Sequence, residues 1–192
     1  MREQTSTAIQ QTLDGAVMER WATISDCGQY RYALGRKWAA GPRAMWVMLN
    51  PSTADGQLDD PTIRRCIGFS RRDGFGSLVV VNLYAYRATD PKALFTADDA
   101  EGPDNWWHIQ RERRTSDAVI FAWGATQGPG HHHLWHGGQN FPAPLCLGRT
   151  KAGHPRHPLY VKGDQPLVPF DNGHAETPPK SDQNGSDGAR DR

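Results

Sequence analysis

Short apolar runs, each closed by a polar or glycine-bearing turn, recur along this chain and set its reading. Residues 17–33 (VMERWATISDCGQYRYA) hold two short β-like segments about an Asp26-Cys27-Gly28 turn, with Tyr30 and Tyr32 alternating beyond it, which predicts an antiparallel hairpin. Residues 44–49 (AMWVML) are too short for a helix and are stopped by Pro51. Asp60-Pro61-Thr62 then reads as a helix start, with Asp60 as N-cap and Pro61 at the first helical position. Ile63, Cys66, Ile67 and Ser70 fall on one face of that helix, and Gly74 and Gly76 close it. Residues 77–88 (SLVVVNLYAYRA) give the clearest strand, with Leu78 to Val81 continuously apolar as expected of one covered on both faces. Residues 104–115 (DNWWHIQRERRT) predict a second helix capped by Asp104, residues 117–124 (DAVIFAWG) a third buried strand, and residues 144–150 (PLCLGRT) a fourth. Leu134 to His136 leave room for a short further helix.

Strands alternating with helices predict an α/β fold: three layers, α/β/α, about a mainly parallel four-stranded sheet, with the antiparallel hairpin added at the N-terminal end. Residues 1–15 are polar and expected to fray. Residues 16–170 form the single expected domain, a size that supports one core. From Asp171 onward no aliphatic residue larger than Ala occurs, so residues 171–192 are expected to be disordered.

Charge changes this picture little. Lys and Arg number 22 against 21 Asp and Glu, a formal charge of +1, which argues against wholesale electrostatic binding to DNA or membrane but leaves room for a local basic face. No apolar run approaches the length of a membrane span and no secretory leader pattern is visible, so a cytoplasmic protein with no membrane partner is expected. Cys27, Cys66 and Cys146 are widely spaced and read as reduced thiols.

Candidate chemistry sits at the strand ends. In open α/β sheets ligands bind beyond the carboxyl ends of the strands. There this chain places Asn50-Pro51-Ser52-Thr53, then Asn82 and Tyr84, then Trp123-Gly124, and beyond the fourth strand His154 to His157. An Asn amide donates and accepts at once, which suits a nucleobase edge, and Trp and Tyr faces offer stacking surface. Each residue also has a plainer reading. Residues 50–53 make an ordinary Asx turn, Asn82 caps a strand end, Trp123 packs in the core, and Asp60 only caps its helix. The arginines Arg64, Arg65, Arg71, Arg72 and Arg87 read either as a solvated face or as phosphate contacts, with Arg64 and Arg87 the candidates for the latter. His131, His132, His133 and His136 lack the carboxylate or thiol that would complete a metal set, so neither a metal nor a cofactor is expected.

The stretches RYALGRKWA, VMLNPSTAD, DDPTIRRC, VVVNLYAYRATDP, FAWG and KAGHPRHPLY, in this order, resemble the bacterial and phage family known as domain of unknown function 1643. In motif order the chain is also similar to the uracil-DNA glycosylase superfamily, through Leu49-Asn50-Pro51-Ser52, Val81-Asn82, Ala122-Trp123-Gly124 and the loop His154-Pro155-Arg156-His157-Pro158-Leu159. That likeness implies that Asn50 orients an attacking water and Asn82 reads the base. It implies that His157 or His154 stabilises charge on the departing base, and that Leu159 wedges into the stack of a flipped nucleotide. Asn50 stands where the most active of those enzymes carry Asp, and an Asn cannot act as a base, so Asp55 or Asp59 would have to reach in. Three functions remain open: a metal-independent N-glycosidase on DNA or a nucleotide, a non-catalytic module binding nucleotide or nucleic acid, and a protein-interaction factor that needs no shaped pocket.

Overall fold

The computed structural model describes residues 3–11, 17–126, 128–129, 141 and 143–170. The four-histidine segment and the polar tail from residue 171 lie outside the described residues, so expectations about them find no counterpart here.

One eight-stranded sheet organises the chain. Its strands are β1 (Glu3–Gln11), β2 (Val17–Ser25), β3 (Arg31–Lys37), β4 (Arg43–Met48), β5 (Ser77–Asn82), β6 (Ala118–Phe121), β7 (Leu145–Cys146) and β8 (Val168–Pro169). They lie side by side in the order β1-β2-β3-β5-β4-β6-β7-β8. Among the described residues there are two α-helices, α1 (Pro61–Arg72) and α2 (Asn105–Arg114), with short 3-10 turns at Pro91–Phe95 and Pro158–Tyr160.

The expected three-layer α/β/α domain on a mainly parallel four-stranded sheet is therefore incorrect. The sheet is mixed and strand-dominated. β5, β4, β6 and β7 run parallel, while β1, β2 and β3 join antiparallel on one side and β8 on the other. Residues 3–11, expected to fray, instead pair along β2 from Glu3 opposite Ser25 to Gln11 opposite Val17. The pairing runs through backbone N–H and C=O groups that every one of these residues carries, so a polar composition did not exclude it.

The central strands are buried on both faces because their side chains alternate between two apolar clusters. Met45, Val47, Val79 and Val81 meet Ile109 of α2 in one cluster. Ala44, Trp46, Leu78 and Val80 meet Ile63, Cys66 and Phe69 of α1 in the other. Burial drives the Cys66 thiol upward, leaving it inert. α1 begins as its sequence requires: the Asp60 carboxylate accepts from the Ile63 N–H at 2.8 Å and Pro61 opens the helix. Asp104 makes no such bond at the start of α2. The anchoring residue is the next one, Asn105, fully buried, whose amide donates to the carbonyls of Asn82 and Leu83 at 3.0 and 3.1 Å. Gly35 has no alternative, because a Cβ there would fall 1.8 Å from the Trp21 ring across the β2–β3 ladder.

Candidate functional site: a cavity at the strand ends

β4, β5 and β6 are parallel, so their carboxyl ends open on one side of the sheet. A cavity of about 290 Å³ lies there. Asn50 and Ser52 line it from the end of β4, Asn82 from β5, and Trp123 and Gly124 from the segment after β6. His157 and Leu159 reach it from the loop beyond β7. Residues more than a hundred positions apart thus share one wall, as the strand-end pattern leads one to expect.

The loops around the cavity are held by identifiable bonds. Asn50 Nδ2 donates to the Ala88 carbonyl at 2.8 Å and to that of Pro51 at 3.1 Å, tying the β4 exit to the β5 exit. The amide's donor is thereby committed, which leaves its oxygen for a ligand. Arg36, fully buried in β3, bonds Asp59 at 2.8 Å and the Asp55 carbonyl at 2.7 Å, and Arg20 reaches the same Asp59 at 2.9 Å. These contacts clamp residues 54–60 over the sheet. On the other side Arg65 donates to the carbonyls of Pro158 and Val161, and Arg72 to those of Gly163 and Gln165. The arginines of α1 therefore fasten the loop that carries His157.

His157 itself is pushed below the usual imidazole range, chiefly by burial and against the pull of Asp60. Its Nδ1 accepts from the Leu159 N–H at 3.3 Å, which places the proton of the neutral ring on Nε2. Gly124, at φ +82°, lies against this ring: a Cβ there would approach the His157 Cβ to 3.2 Å. Trp123 is both core and wall, packed 4.8 Å from Phe121 and buried. Asn82 is 1% exposed, and its Nδ2 has no hydrogen-bond partner among the described residues.

Several expected site residues stand elsewhere. Asp55 does not line the cavity, because its Oδ1 accepts from the N–H groups of Gln57 and Leu58 and closes a loop. Thr53 is exposed and His154 is not part of the wall. Tyr84 is buried with its hydroxyl on the Pro129 carbonyl, and burial pushes that hydroxyl up to about 12. The expected phosphate ligands are engaged with backbone, Arg64 with the Asp59 carbonyl at 2.6 Å and Arg87 with that of Gly28 at 3.1 Å.

Among the wall residues that sequence reasoning missed are Arg31, Thr62, Thr89, Thr126 and Tyr160. A charged residue inside the strand pattern YRYALGRK was the available signal for Arg31. Asp60, read only as a cap, is both cap and wall. Among the described residues no group of three His, Cys, Asp or Glu side chains could hold a metal ion, and no helix is long and apolar enough to cross a membrane.

Comparison with curated proteins yields no match. Among solved structures, a hetero-hexameric glutamate dehydrogenase from Thermus thermophilus in a Leu-bound form is 19% identical over 66% of this chain and 28% of that one, with a TM-score of 0.25. So low a score carries no argument about fold or activity. The comparisons lend no support to the likeness to uracil-DNA glycosylases. A family profile covers residues 31–159, which span β3 to the 3-10 turn at the cavity mouth, and the chain accordingly belongs to the family described as Protein of unknown function (DUF1643).

Proposed function

We propose that the cavity recognises the base of a nucleotide, with the Asn82 amide reading its edge. One observation carries this reading: a buried amide donor at a strand end, on a residue that lines a ligand-sized space, with no hydrogen-bond partner among the described residues. An unmet buried donor costs about 1–3 kcal/mol, and a ligand acceptor would recover that loss. The Asn50 oxygen supplies a second polar contact, and the exposed Tyr160 ring at the mouth supplies stacking surface. Such a wall of amides, hydroxyls and aromatic rings suits a flat heterocycle better than a sugar or a peptide. A pure interaction factor would leave it without use.

The test is a binding screen by thermal shift and calorimetry with free bases and nucleosides, run on the full chain and on Asn82→Leu. Binding of at least one base or nucleoside by the wild type, lost in the variant, supports the reading. Silence across the whole set and the corresponding 5′-monophosphates overturns it.

A hydrolytic step on the same ligand is the second reading, favoured by His157. The Nε2 proton of its neutral ring could stabilise negative charge on a departing base, the logic of an oxyanion hole. Water would attack the sugar carbon, the C–N bond would break with its electron pair passing to the base, and Asp60, the carboxylate of the wall, would take the water's proton. Release of free base from uracil- or hypoxanthine-containing DNA, or from free nucleotides, is the expected signal. Binding without any release leaves a recognition module.

A further inference from the structure

Arg31 sets this cavity apart from an ordinary nucleoside pocket. It opens β3, lines the cavity, and is 2% exposed. Buried cations are normally paired with a carboxylate. Arg36, on the same strand, follows that rule and holds Asp59 at 2.8 Å. Arg31 does not. One of its terminal nitrogens donates to the Ala54 carbonyl at 2.5 Å, and its Nε has no partner among the described residues. None of the ion pairs among those residues includes it.

None of the nearby carboxylates pairs with Arg31. Asp59 serves Arg20 and Arg36, Asp55 closes its own loop, and Asp60 accepts through one oxygen from the first turn of α1. Asp60 acts on Arg31 at a distance, and that influence opposes the burial that lowers the guanidinium to about 10. Even so lowered, Arg31 is cationic near neutral pH. A buried, under-paired guanidinium on a residue that lines a ligand-sized space is the feature that an anion with several acceptor oxygens satisfies best.

We propose that Arg31 binds the terminal phosphate of a nucleoside monophosphate, an inference that rests on the base-recognition reading and names the ligand class within it. The committed source is a free mononucleotide rather than a strand, because a guanidinium sunk to 2% exposure meets a terminal phosphate more readily than a backbone phosphodiester running past the mouth. This role replaces the one expected for Arg64 and Arg87, which lie outside the cavity.

Calorimetry tests it on the full chain. The probes are adenosine, guanosine, cytidine, uridine and thymidine, their 5′-monophosphates, and a short single-stranded oligonucleotide of the preferred base. The best monophosphate should bind at least about tenfold tighter than its own nucleoside and no more weakly than the oligonucleotide. In Arg31→Met that gap should close while nucleoside affinity stays, and Arg31→Lys should restore part of it. If Arg31→Met does not fold, judged by circular dichroism, the wild-type comparison decides alone. Equal affinity for nucleoside and monophosphate overturns the phosphate assignment and leaves base recognition standing. Tighter binding of the oligonucleotide overturns the mononucleotide assignment. No binding of either class overturns base recognition itself, and this inference with it.

Discussion

Asn82 and His157 show how single positions here trade stability for a site. The Asn82 Nδ2 has no hydrogen-bond partner among the described residues, yet gives up its hydration on burial. Replacing it by the similarly sized Leu removes the unmet donor, so Asn82→Leu should leave the free protein as stable as before or more stable by about 1 kcal/mol. Urea denaturation checks this, and a marked loss of stability would mean that the amide is bonded within the fold. His157 gives a pH dependence of defined sign. Burial lowers its folded pKa below the unfolded value near 6.5, so between the two the unfolded chain binds more protons. Its contribution is fully present above the unfolded pKa and is lost as pH falls through the folded one. His108 is shifted in the same direction, so the comparison must be with His157→Gln. The wild type should lose more stability than the variant when chemical denaturation is repeated from pH 7.5 down to pH 5.

At the scale of elements, the site depends on arginines that hold loops rather than ligands. The Arg20–Asp59–Arg36 cluster fixes residues 54–60, and Arg65 and Arg72 fix residues 158–165. Asp59→Ala strands the fully buried Arg36 cation and should cost about 3–5 kcal/mol, measured by urea denaturation. A cost below about 1 kcal/mol would show that the clamp is solvated, as surface ion pairs are. This scale also shows where the sequence was hard to read. The start of α1 was legible because Asp60 and Pro61 are local signals with a fixed geometry. The tasks of Arg31, Arg36 and Arg65 were not, because each is defined by carbonyls or carboxylates contributed from distant segments. The cluster Arg64, Arg65, Arg71, Arg72 and Arg87 reads as a solvated face or as phosphate contacts, whereas Arg64, Arg65, Arg72 and Arg87 each donate to a backbone carbonyl.

For the whole molecule, the parallel strands and the convergence of their ends were legible from apolar runs followed by Asn, Trp-Gly and His. The extent of the sheet was not. β1 is polar and β8 is two residues long, so neither periodicity nor hydrophobicity marks them, whereas the apolar run in PLCLGRT did mark β7. Asp55 looked catalytic from its place near Asn50, but an Asx-type turn turns its carboxylate to its own backbone. The topology makes a further prediction. β4 and β5 sit centrally, paired on both sides and buried on both faces, while β1 and β8 are edges. Native-state hydrogen exchange should find the slowest amides in β4 and β5 and fast exchange in β1 and β8. Protection of β1 equal to that of β5 would indicate that β1 is covered by something beyond its ladder to β2.

The central claim is that the strand-end cavity holds a nucleotide by its base. A crystal structure of the chain soaked with the tightest-binding 5′-monophosphate tests it most directly. The account predicts the base inside the cavity, with an acceptor on its edge within hydrogen-bond distance of Asn82 Nδ2. Ligand density elsewhere on the molecule, or an Asn82 amide that contacts only protein and water in the complex, would contradict it.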